Sequence, residues 1–106
     1  MSQKKYENDV YDELRSLILK AETNEIESRL RFVSTVVNRW KKGTQDAQSS
    51  LSEIKRLSGT PSITWTEGAD PGVAVAHALT NGLLKRPDIS DKTWKAIEVL
   101  VTLVEI

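Results

Sequence analysis

Cysteine is absent from the 106 residues, which removes disulfides, thiolate metal sites and thiol nucleophiles together. Histidine occurs once, at His77, and glycine and proline are sparse, at five and three, so sharp turns have few places to form. No long apolar run is present: the most apolar stretch, residues 99–106, is far too short to span a bilayer. Neither sign of charge dominates, because fifteen basic residues balance fifteen acidic ones, and no net field draws in nucleic acid or an anionic membrane. Residues 1–7 are polar and lack the apolar core of a signal peptide. A cytoplasmic protein with no membrane partner is expected.

What is present is a helical pattern. Ile26, Leu30, Val33, Val37, Trp40, Ala47, Leu51 and Ile54 follow one another in steps of four and three, interrupted only by Thr44. That spacing lines one seam of a helix, or of two helices in tandem. Ahead of it, Val10, Leu14, Leu17 and Ala21, flanked by Tyr11 and Ile18, form a stripe wide enough for a globular core. A first helix over residues 4–22 is predicted. Asn24 then reads as an N-cap, with Glu27 completing a capping box, so a second, antiparallel helix is expected to follow.

The end of that second helix rests on Gly43. Lys41 and Lys42 before a glycine match a helix C-terminus, where cations meet the dipole and glycine takes the left-handed conformation. An unbroken helix over 25–57 would instead reach about 50 Å. The break is the expected outcome, with Thr44 capping the next helix and Asp46 in its first turn.

Residues 58–70 form one irregular loop between Ser58-Gly59-Thr60-Pro61 and Gly68-Ala69-Asp70-Pro71. Within it, Ile63-Thr64-Trp65-Thr66 alternates in the manner of a short strand. Asp70 and Pro71 then open a third helix, small and apolar from Val73 to Leu79, expected at the centre of the fold and ended by Pro87. Ser90 caps a last helix over 92–106, which turns apolar on nearly all sides beyond Trp94. The whole predicts an all-α fold: a four- or five-helix bundle in a single domain, 1–106.

Candidate chemistry is thin. His77 lies among Val73, Ala74 and Ala78 with no carboxylate on a neighbouring turn, and is expected to be packed, donating to a carbonyl rather than acting as a base. Carboxylate pairs on facing helices can hold Mg²⁺, but Glu22 and Glu25 straddle the expected cap at Asn24, and Asp88 and Asp91 straddle Ser90. Residues 89–94 open like a recognition helix, yet beyond Lys92, Thr93 and Lys95 that helix offers no polar face to a DNA groove. No catalytic residue, metal site or cofactor is expected, and the chain is not read as an enzyme.

Binding is the better expectation. Trp65 and Ile63 on the loop are candidate protein-binding anchors, since an aromatic side chain between two prolines binds at modest entropic cost. Residues 25–57 hold seven basic and four acidic groups, a net +3. Arg29, Arg39, Lys41 and Lys42 are therefore candidate phosphate contacts for an alternative role in a nucleoprotein assembly. The favoured expectation is a small helical interaction module (adaptor, regulator or assembly subunit) that contacts another protein and forms a homodimer through its surplus apolar surface.

Overall fold

Helical periodicity governs the backbone in the computed structural model of the chain, which describes residues 5–57 and 69–105. Four α-helices follow in order: α1 (Asn8–Lys41), α2 (Ala47–Leu57), α3 (Pro71–Thr80) and α4 (Asp91–Glu105), with a 3-10 turn at Arg86–Asp88 before α4. No strand occurs among the described residues. The fold is all-α, as the periodicity predicts. Most of the loop expected at 58–70, including the strand at 63–66, lies outside the described residues.

Two compact units divide the chain, one drawing on residues 5–23 and 69–105, the other on residues 24–57. In the first, α1 buries Val10, Leu14, Leu17, Ile18 and Ala21, the stripe legible in the sequence. They share a core with Val75, Ala76 and Ala78 of α3, Leu84 and Ile89 of the connection, and Ile97 and Val101 of α4. Val75, Ala76 and Ala78 of α3 are fully buried in the core of this unit. Asp70 caps α3 by accepting from the Gly72 N–H at 2.9 Å, with Pro71 in the first turn where its missing N–H costs nothing. Ser90 caps α4 through the Thr93 N–H at 3.3 Å.

Three expectations give way. Asn24 does not cap a new helix, because α1 runs unbroken through it for 34 residues. The presumed antiparallel pair before Gly43 is one helix. Asp46, rather than Thr44, caps α2: its carboxylate accepts from the Ser49 N–H at 3.4 Å, while the Thr44 hydroxyl donates back to the Arg39 carbonyl at 3.0 Å. The third helix stops at Thr80, not at Pro87, because the Gly82 N–H bonds to Leu79 O and the Leu83 N–H to Ala78 O. That pair of bonds is the Schellman closure, and Gly82 adopts φ +77° to make it.

The break at Gly43 stands. Gly43 has φ +79°, its N–H bonds to Trp40 O at 3.0 Å, and the Thr44 N–H bonds to Arg39 O at 3.0 Å. The same closure therefore ends α1. An alanine Cβ at residue 43 would meet nothing, so the whole penalty is conformational. Gly43→Ala should destabilise by about 1 kcal/mol in urea titration. A gain of similar size would mean that residue 43 is helical after all.

Candidate interaction surface

Residues 24–57 form a helical hairpin whose inner side is held by charge as well as packing. Val36 on α1 is fully buried and Ser50 on α2 nearly so. Arg29 donates to the Leu57 carbonyl at 3.1 Å, meeting the C-terminal end of α2 where the dipole favours a cation. The same guanidinium pairs with Glu25 at 2.9 Å, which is how a glutamate comes to be buried on this helix. Arg39 reaches Glu53 at 3.9 Å, and the Gln45 amide donates to Glu53 at 2.6 Å.

A side of α1 next to this buried one is open, as is Leu51 on α2. Ile26 is 55 % exposed, Leu30 63 %, Trp40 49 % and Leu51 54 %, with Val33, Val37 and Ile54 half-buried between them. The seam read from the sequence is therefore real as a stripe but is not covered within the chain's own unit. Large apolar side chains this exposed and this close along a helix mark a contact surface more often than chance scatter does. Within the other unit Val99 and Leu103 on α4 are also exposed, while Leu100 and Val104 pack against the core.

Among the predicted phosphate contacts, Arg29 and Arg39 are occupied by Glu25, Leu57 and Glu53 inside the hairpin. Lys41 and Lys42 are exposed at the end of α1. Ile63 and Trp65 lie outside the described residues. His77 is not packed: it is exposed, because α3 turns Val75, Ala76 and Ala78 inward and leaves residue 77 on the opposite side.

The carboxylates of the first unit serve caps and ion pairs. Glu13 accepts from the Ser90 N–H at 2.9 Å and its hydroxyl at 2.7 Å, tying α1 to the start of α4. Lys92 bridges Glu7 and Asp9 at 2.6 Å each. Asp88 accepts from the Lys85 N–H and, secondarily, from Lys20, and these bonds lower the pKa of its carboxyl. Burial works against ionisation of Asp70, but bonds from Lys5, Tyr6 and the Gly72 N–H outweigh it and lower its pKa. Burial first, and then Asp70, push the Tyr6 hydroxyl up, so it remains a donor. In these bonds the carboxylates hold elements of the unit together.

The ground for separating Glu22 from Glu25 falls with the capping box, since both sit on one helix. Glu25 is nonetheless bound to Arg29. No group of three or more potential ligands is placed to hold a metal ion among the described residues. Nor is any described helix long and apolar enough to cross a membrane. Comparisons with family models, curated proteins and solved structures find no match to the chain.

Proposed function

We propose that this chain is a small helical interaction module, an adaptor, regulator or assembly subunit, acting by protein–protein contact rather than turnover. The open face of the 24–57 hairpin is its contact surface. One observation supports this above the others: Ile26, Leu30, Trp40 and Leu51 stand exposed together, whereas comparable residues such as Leu14 and Ile97 are fully buried. A face of that kind gains by association roughly in proportion to the apolar area it removes from water. Ile63 and Trp65 remain candidate anchors in addition to that face. A cytoplasmic setting fits the cysteine-free composition. A nucleoprotein role draws less support, with half of its candidate cations engaged in ion pairs inside the hairpin.

The test is capture of partner by immobilised protein from an extract of the native host, comparing the parent chain with Leu30→Asp. Leu30 is exposed, so the variant should keep its helical circular dichroism. Partner capture should be lost. Undiminished capture by the folded variant would contradict the assignment of this face.

A further inference from the structure

Taken as a heptad, the stripe on α1 places Leu30 and Val37 at a, and Ile26, Val33 and Trp40 at d. Glu27, Ser34 and Lys41 then occupy e, and Arg29 and Val36 occupy g. The two edges of the stripe differ in kind. On the g edge Arg29 bonds to Glu25 and to the Leu57 carbonyl, and Val36 is fully buried, so that side is closed within the hairpin. On the e edge Glu27, Ser34 and Lys41 are all exposed. Glu27 meets Arg31 at 3.4 Å in a pair that is itself exposed, which holds it weakly.

The e edge therefore carries an acid at one end and a base at the other, two heptads apart and equally far from Ser34. Resting on the proposed contact role of this face, we infer that its occupant is a second copy of the chain, packed antiparallel about a two-fold axis near residue 35. In antiparallel pairs a faces d and e faces e. Leu30 of one copy then meets Trp40 of the other, and Val33 meets Val37, each contact made twice. Glu27 faces Lys41 of the second copy at both ends of the edge. Ser34 faces itself.

Other arrangements use the face less well. A parallel copy sets e against g, which places Arg29 opposite Ser34 and Lys41 opposite a buried Val36, and forms no charge pair from either. A partner of uniform charge matches one end of the edge and is repelled at the other. The patch is complementary to itself, as an isologous interface requires.

Sedimentation equilibrium of the full chain across the micromolar range, with charge variants, tests this. A species of twice the 11.9 kDa chain mass is expected. Glu27→Lys and Lys41→Glu should each weaken association by roughly tenfold, since each places two like-charged pairs in the dimer. Combining the two should restore most of the loss. Leu30→Glu should weaken association by about 100-fold or more by burying two unpaired carboxylates. All three residues are exposed, and unchanged helical circular dichroism certifies folding in each variant. A monomer at every concentration overturns the second copy as occupant. So does a dimer indifferent to Leu30→Glu, and a dimer that the double exchange fails to rescue overturns the antiparallel pairing. A monomer that still needs Leu30 to capture another polypeptide removes this inference while leaving the contact role in place.

Discussion

Leu14→Ala should cost about 2–5 kcal/mol of folding stability, the usual range for deleting a fully buried leucine. Leu14 has no exposed surface and sits in α1 among Val10, Leu17, Ile18 and Ala21, with α3 and α4 completing the shell. The loss has two parts: the transfer energy of the removed carbons and the cavity that a closely packed interior cannot fully close. Leu30→Ala on the same helix provides the internal control. With most of its side chain already in water, it should change the stability of the isolated chain by no more than about 0.5 kcal/mol. Urea titration of both variants at low protein concentration measures the contrast. Equal losses would mean that the buried and open faces of α1 have been assigned wrongly.

Gly72→Ala should destabilise by about 1–3 kcal/mol, although alanine is ordinarily the better helix former. A Cβ at residue 72 would collide with the Tyr6 hydroxyl and press on Leu100 Cδ1 at 3.0 Å. The hydroxyl has nowhere cheap to go. It donates to Asp70 Oδ1 at 2.7 Å, the oxygen that also accepts from the Gly72 N–H to cap α3. Moving the ring therefore breaks the bond from the N-terminal segment to the cap and leaves a part-buried hydroxyl unpaired. Tyr6→Phe removes the colliding atom, so the alanine penalty should shrink in that background. A double-mutant cycle by thermal denaturation reads the coupling. An alanine penalty unchanged by Tyr6→Phe would show that the two residues do not touch.

Why Gly72 escapes a sequence reading is plain from that geometry. Pro71-Gly72 announces a helix start, but the close approach comes from Tyr6, more than sixty residues away, and no local pattern encodes it. What was legible rests on chemistry between near neighbours: Asp70 and Ser90 as caps, Gly43 as a left-handed closure, Val10 to Ala21 as a buried stripe. The misplaced break at Asn24 has a similarly specific cause. From Ala21 the buried stripe continues, one helical step on, to Glu25, and a glutamate reads as surface. It is buried because Arg29, one turn later, neutralises it, and the helix runs on. The Asn24–Glu27 capping signature is genuine as a local preference and is overridden by helix on both sides. His77 was misjudged for the opposite reason: its small neighbours share its sequence but not its side of α3.

The functional reading turns on the open face of α1 closing against another polypeptide, and in the inferred dimer that closure has a fixed geometry. The absence of cysteine makes it directly measurable, since a single introduced cysteine takes a nitroxide label without competition. Thr35 and Ser28 are both exposed, one heptad apart, away from the stripe. With a two-fold axis near residue 35, labels at Thr35→Cys lie at the same level along the pair, while labels at Ser28→Cys are offset by about 21 Å along the helix axes. Pulsed dipolar spectroscopy on the full chain should therefore return a clearly longer distance at residue 28 than at residue 35. Equal distances at the two positions, or no dipolar coupling at either, would contradict the account.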